Sequence, residues 1–390
     1  MNTVPALLGG AATFEHPVKN AHVLPSWSQF EELVGGIFDR RYYTNHGPLA
    51  LAFEKSFAEF FGVRNALYMT NSGIAAMIAS RAIEVKGKVI LPAFSHITMA
   101  QAVIWAGGEP VYCDVHRDTM HFDLGELERL VDSGTKAIFA ANLFGGTCDC
   151  DEVDQIASKY NVPVYYLSDD AIGSQYKDRK VGNFGKLEIF SLHESKIINA
   201  VNGCVVTCND DDLAEKMRHL RSSYGLGKPT PVEFTGNGRM SEIVAGMALL
   251  GLEKFETNVQ QNQQIRDLYQ DVFSSTPGIR LYEPAAAVTR RNNHRVVAQI
   301  NKAEFGLSGS ELHGALLAEN IQVSMLNNFA QSTIAPYEML KKYPVSMELR
   351  ESILEFPLDR NLLKAGAGGK LNNAIMQIQS SAQAIKEKLK

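Results

Sequence analysis

"NALYMTNSGIAAMIASRAIEVKGKVILPAF", residues 65–94, decides the fold class. "NALYMT" reads as a short strand, Asn71-Ser72-Gly73 turns the chain, and "IAAMIASRAIEV" has helical spacing. "KVILPAF" is an apolar run of strand length, so the stretch reads as one strand–helix–strand unit. The pattern predicts a helix beginning near Ile74 with Ser72 as its N-cap. Gly73 lets the backbone approach a ligand closely. A helix start offers unpaired N–H groups and the positive end of a dipole, which suits a phosphate. The same residues also serve as a plainly capped helix, a common arrangement.

The alternation extends outward on both sides. "LAFEKSFAEFF" places Phe53, Phe57, Phe60 and Phe61 on one helical face. "MAQAVIWAGG", "DLGELERLVDS" and "CDEVDQIASKYN" read as helices, and "EPVYCDV", "TKAIFAANLFG" and "VPVYYLS" as the strands between them. "KLEIFSLH" and "GCVVTCN" are later strands flanking a loop. The expected class is α/β, a large domain with a mostly parallel sheet sandwiched by helices. After residue 210 the pattern changes to one long helical stretch over 240–273, then "RVVAQI" as a strand of a second sheet and a helical end. The expected division is 1–255 for the large domain with its N-terminal segment and 256–390 for a smaller C-terminal α+β domain.

Of 390 residues, 45% are hydrophobic and 21% charged, with a formal net charge of -5 and no long basic run. These values argue against nucleic acid or an anionic membrane as the main partner. No apolar run is long enough to span a bilayer, and "MNTVPALLGGAATFEHP" lacks the pattern of a secretion signal, so the expected location is the cytoplasm. Five cysteines in no framework spacing read as reduced thiols. Cys148-Asp149-Cys150 has no second pair at zinc spacing and reads as incidental, so no metal is expected.

In a sheet of this kind ligands collect at the carboxyl ends of the strands. His96 lies just past such an end, where its ring can stack on a flat ligand or serve a structural role. "SLHESKIINAVNGC", residues 191–204, holds Lys196, with Ser191 five residues before it at a strand end. A serine there can bind phosphate. A lysine there can form an imine with an aldehyde cofactor, provided desolvation or nearby positive charge leaves its amine partly unprotonated.

Taken together, "YYTNHGPLALAFEKSFAEFFG", "TNSGIAAM", "LPAFSHITMAQAVIWAGGEPVYCDV", "YKDRKVGNFG", "FSLHESKIINAVNG" and "GNGRMSEIVAGMALLGLEKF" resemble the DegT/StrS sugar aminotransferases, with a faint end at "ILEFPLDRNL". These are pyridoxal-phosphate enzymes of the aspartate-aminotransferase fold, fold type I. The resemblance implies that Lys196 forms the internal aldimine with pyridoxal 5′-phosphate and shuttles the proton to and from the substrate carbon. It implies that Gly73 and Ile74 give backbone N–H groups to the cofactor phosphate and that Ser191 gives its hydroxyl. His96 takes the place of the aromatic ring against the pyridine face. Asn237 matches an asparagine that reaches the neighbouring subunit's phosphate, so a homodimer with shared active sites is expected.

One position departs from the family. An aspartate opposite the pyridine nitrogen is expected at Leu167, and a glutamine or histidine near the phenolic oxygen at Asp170, counted back without gaps from Tyr176. A carboxylate beside the nitrogen keeps it protonated and the ring an electron sink, so its loss slows proton removal from the substrate. Asp169 shares a face with Leu167 by strand alternation and takes the role under a two-residue register change. The reading favours Asp169 or Asp170 near the ring, against a ring with no carboxylate partner. Glu194, close to the lysine, is either solvated or holds the lysine charged.

Three functions remain open at this point. The first moves an amino group from glutamate or glutamine to a keto group on a nucleotide-linked sugar or similar polyol. The second keeps the cofactor but changes the reaction, and the third is a regulatory relative that binds without turnover. Specificity is expected in "NIQVSMLNNFAQSTIAPYEML", and Arg239, Arg295 and Lys342 are available to a nucleotide diphosphate.

Overall fold

The structure, a computed structural model, describes residues 4–21, 23–222, 235–325 and 341–389. Two helices, α1 (Trp27–Arg40) and α2 (Pro48–Phe61), precede the alternating part. That part runs β1 (Asn65–Met69), α3 (Ser72–Ala82), β2 (Lys88–Pro92), α4 (Ile97–Trp105), β3 (Glu109–Cys113), α5 (Leu124–Leu130), β4 (Thr135–Ala141), α6 (Cys150–Ser158) and β5 (Val164–Leu167). The short pair β6 (Gln175–Tyr176) and β7 (Arg179–Lys180) leads to β8 (Glu188–Ser191), β9 (Cys204–Cys208) and α7 (Asp211–Arg221).

The main sheet has the order β1-β9-β8-β5-β4-β2-β3. Its neighbours pair in parallel except for β9, which runs against both β1 and β8. Alternate side chains enter two separate cores: Tyr165 and Leu167 of β5 face one, Val164 and Tyr166 the other. Both faces are therefore dry, which is why these strands read as unbroken apolar runs. Helices α3, α4 and α7 cover the first face, and α2, α6 and α8 (Glu242–Glu253) the second. From α2, Phe53, Phe57 and Phe61 are fully buried, each contributing about 1.5–3 kcal/mol.

The chain continues through α9 (Phe255–Ser274), β10 (Ile279–Leu281), β11 (Val288–Arg290), β12 (Val296–Ile300), α10 (Lys302–Phe305), α11 (Gly309–Ala318), β13 (Ser324–Met325) and β14 (Ile353–Phe356). An antiparallel sheet β10-β12-β14-β13 packs on a third core, closed by the helices Ala367–Ser380 and Ala382–Leu389.

Two local expectations are corrected. The stretch 240–273 is two helices, α8 and α9, which meet at Lys254, where φ is −92° and ψ 0°. Both helices bury a face, so apolar spacing runs through the break and conceals it. Helix α3 begins at Ser72 and is capped by Asn71, whose extended backbone lets its side chain accept from the Ile74 N–H at 2.9 Å.

Candidate active site

The carboxyl ends of β5 and β8 and the starts of α3 and α4 enclose a cavity of about 540 Å³. Gly73, His96, Asp169, Asp170, Ser191 and Lys196 line it, which brings together six of the eight residues singled out from the sequence. Ile74 and Asn237 are not among the lining residues. Larger clefts beside Arg280 and Gln299 hold no comparable cluster of buried ionisable groups among the described residues.

Lys196 sits on a tight loop between β8 and β9. Its backbone N–H donates to the His193 carbonyl at 2.8 Å, and the Glu194 N–H donates to Val201 at 3.1 Å. Val201 closes the loop at φ 67°, a region β-branched residues rarely occupy. The lysine side chain is 9% exposed, and its Nζ lies 2.6 Å from Asp170 Oδ1. Of the two readings for Glu194, the one that makes it the lysine's counter-charge is not what the structure shows, because Asp170 takes that place.

Asp170 gathers more than the lysine. Arg295 Nε donates to its Oδ1 at 3.0 Å, and Arg295 Nη1 reaches Glu355 Oε2 at 2.6 Å. His294 Nε2 stands 3.7 Å from the same Oδ1. Burial by itself raises the Asp170 carboxyl, but the charges of Arg295 and then Lys196 overcome it and hold the group well below the usual carboxylate range. Desolvation, reinforced by the Lys196 charge, lowers the His294 imidazole to about 3, so it is neutral at physiological pH. Asn292 Nδ2 donates to the Asp170 and Ile172 carbonyls at 2.8 and 2.9 Å and fixes the turn that aims Asp170.

Asp169 points elsewhere. Its Oδ1 accepts the Ser191 N–H at 2.8 Å, and Ser72 lines the same cavity. Burial raises the Asp169 carboxyl to about 6, against the lowering effect of Lys196. Leu167, the last residue of β5, stays 3% exposed and lines the same cavity. The Ile74 N–H, expected to meet a ligand, here donates to Asn71 Oδ1 at 2.9 Å. Gly73 has no side chain to fill the approach; a Cβ there meets Asn71 Oδ1 at 3.2 Å. His96 caps α4, its Nδ1 2.7 Å from the Thr98 hydroxyl, and this fixes the ring at the cavity wall.

Asn237 is exposed and does not line the cavity; it is tied by a backbone bridge to Ser222, with its Oδ1 accepting from Arg239 Nε at 3.1 Å. Arg239 also donates to Asn45 at 3.1 Å and is not among the lining residues. Lys342 is exposed, and residues 326–340 of the expected specificity stretch lie outside the described residues. All five cysteines are free and buried, and no cluster of metal-binding side chains occurs among the described residues.

Sequence reasoning missed Glu355, His294 and Asn292. Only Glu355 carried a signal, as an acid inside the apolar strand "ILEF".

The DegT/DnrJ/EryC1/StrS aminotransferase family matches residues 28–367. The chain belongs to this family. It is a pyridoxal-phosphate-dependent aminotransferase. A dTDP-4-amino-4,6-dideoxy-D-glucose transaminase of Shigella dysenteriae is 29% identical over 299 residues, 76% of this chain and 81% of that protein. A GDP-perosamine synthase of Caulobacter vibrioides is 32% identical over 259 residues, 65% of this chain and 69% of that one. The crystal structure of DesI with its TDP-sugar product aligns with a TM-score of 0.85 at 24% identity, over 99% of this chain and 98% of that chain, and shares the fold.

Proposed function

We propose that this DegT-family chain moves an amino group from glutamate or glutamine to a keto group on a nucleotide-linked sugar, with Lys196 as the group that holds the cofactor and moves the proton. One observation carries the reading: a buried lysine amine, charge-paired at 2.6 Å, faces a cavity whose walls include Gly73 and Ser191. The sugar-nucleotide names of the relatives support the acceptor class.

The residues present fit pyridoxal phosphate at the amine, the glycine and the serine. When bound, the cofactor supplies an aldehyde that takes up amino groups and a ring that disperses negative charge. Ser191 and the start of α3 would hold the phosphate end and His96 would flank the ring, and Lys196 would move the proton at the substrate carbon. Asp170 keeps the lysine oriented and charged when it is released, and Arg295 and Glu355 balance that carboxylate. Asp170 would thus sit beside the group that Lys196 holds, and Asp169, lining the same cavity, would be the carboxylate open to the ring nitrogen that Leu167 cannot serve.

The homodimer belongs to the same proposal. Asn237, exposed and outside the lining of its own cavity, serves the neighbouring one. Trp27, Phe38, Tyr43 and Leu51 are 48% exposed or more on α1, α2 and the segment between them, an apolar surface suited to a second copy. Light scattering tests the mass, and mixing Lys196→Ala with Asn237→Ala subunits tests the sharing: partial recovery of activity supports it, none opposes it. For the reaction, glutamate added to the cofactor-loaded enzyme is expected to convert the visible band to the amine form, and a nucleotide-linked keto sugar to restore it. A band that no amino donor changes removes transamination.

A further inference from the structure

Glu355 is the acid inside the apolar strand β14, and strand alternation turns it out of its own domain's core. Leu354 and Phe356 enter the third core, Ile353 joins a core of the main sheet, and Glu355 lines the Lys196 cavity. Across the sheet it stands between Val297 of β12 and Ser324 of β13. Directly opposite residues share a face, so Ser324 lies beside Glu355, and it lines the same cavity. The Glu355 side chain is 13% exposed and half engaged. Arg295 Nη1 holds Oε2 at 2.6 Å, while Oε1 has no hydrogen-bond partner among the described residues.

We propose that Glu355, with Ser324 beside it, is a specificity-determining residue for the acceptor and takes the hydroxyl on the carbon next to the keto group. This rests on the aminotransferase reading above, which brings that keto group to Lys196. The chain from the amine is short: Asp170 Oδ1 meets Lys196 Nζ at 2.6 Å and Arg295 Nε at 3.0 Å, and the same guanidinium reaches Glu355. A sugar ring held at the amine shares with Glu355 and Ser324 one cavity of about 540 Å³. Lys196, Asp170, Arg295 and Glu355 alternate in charge and sum to zero, so Oε1 calls for a neutral donor and not for another cation. A hydroxyl meets this need, because it donates to the carboxylate and accepts from the Ser324 hydroxyl.

The chemistry also sets what the site refuses. A carboxylate accepts and never donates. Hydrogen in place of the hydroxyl leaves Oε1 unpaired in a site closed by the sugar, and fluorine, which has no proton to give, sets a second negative atom against it. Glu355→Gln reverses part of this. Its amide oxygen still accepts from Arg295, and its N–H group turns to the acceptor, where fluorine no longer meets a negative charge.

The test uses the full-length holoenzyme and keto-deoxyhexoses carried on dTDP, GDP and UDP in turn. Each is given to the amine form of the enzyme, and recovery of the visible band yields kcat/KM. Its analogues carry hydrogen or fluorine in place of the hydroxyl beside the ketone. The corresponding alcohols, which cannot react, are titrated by calorimetry for affinity alone. On whichever carrier is accepted, the hydroxyl compound is expected to exceed both analogues about ten- to a hundredfold in kcat/KM and in affinity, the scale of one hydrogen bond to a charged group. In Glu355→Gln the hydroxyl-to-fluorine ratio is expected to fall below about threefold. That ratio is read within one protein, so a general loss of activity does not move it. Equal handling of the three compounds by the wild type overturns the proposal without any variant, and an unchanged ratio in Glu355→Gln overturns it too. If no carrier's keto sugar restores the band, the acceptor reading falls and takes the proposal with it, which separates the two failures.

Discussion

Gly73, Ser191 and Lys196 face the same cavity as Asp170, Arg295 and Glu355, yet the two groups are built differently. The first is local chemistry: a turn into a helix, a strand end, and a lysine five residues on. The second is assembled across the chain, with Asp170 and Arg295 separated by 125 positions and Arg295 and Glu355 by 60. The first matches what the family expects. The second places a buried, cross-linked carboxylate where the resemblance expects a neutral or weakly basic side chain. On the proposed reading, Lys196 and Ser191 would serve the cofactor's attachment, and Asp170, Arg295 and Glu355 would set the charge beside that amine.

The largest effect expected from breaking this contrast is at Asp170. Asp170→Asn leaves Lys196 without its counter-charge and Arg295 with Glu355 alone, and removing one partner of a buried pair costs about 3–5 kcal/mol. Urea unfolding is expected to show that loss, and Arg295→Met combined with Asp170→Asn to recover part of it. A loss under 1 kcal/mol would place the network in water, not in the interior. On the opposite wall, Ser191→Ala is expected to weaken binding of a phosphate ester by about ten- to a hundredfold, the worth of one charged hydrogen bond, with little change in stability. Equilibrium dialysis measures it. Loss of stability without loss of affinity would turn Ser191 into a purely structural residue.

How far each wall was legible follows from the same contrast. The parallel sheet was readable because both its faces are dry, so Val164 to Leu167 show no polar break. Lys196 and Ser191 were readable because their spacing is local. The orientations of Asp169 and Asp170 were not, since neighbouring residues past a strand end diverge according to which partners arrive. Here Ser191 captured one and Lys196 the other. Arg295 was visible only as an available cation, because its role depends on β12 and β14 pairing so that Val297 lies opposite Glu355. The cap at Asn71 was missed by one position, because Ser72 is an equally good cap by type and only the extended backbone of Asn71 decides between them.

The smallest effect concerns the loop that carries the lysine. Val201 holds φ at 67°, which costs a side chain of its shape about 1–2 kcal/mol. Val201→Gly relieves that strain but loosens the unfolded chain by about 0.5–1 kcal/mol, so a net gain of about 0.5–1 kcal/mol is expected in thermal unfolding. A net loss would show that the exposed Val201 side chain contributes contacts exceeding the strain.

The central claim is that Lys196 is the amine that holds the cofactor. Borohydride reduction of the protein loaded with pyridoxal phosphate, followed by peptide mass spectrometry, tests it directly. The account predicts the added mass on the peptide containing Lys196, at about one per chain. The adduct on any other lysine, or an unmodified Lys196 in a saturated sample, contradicts it.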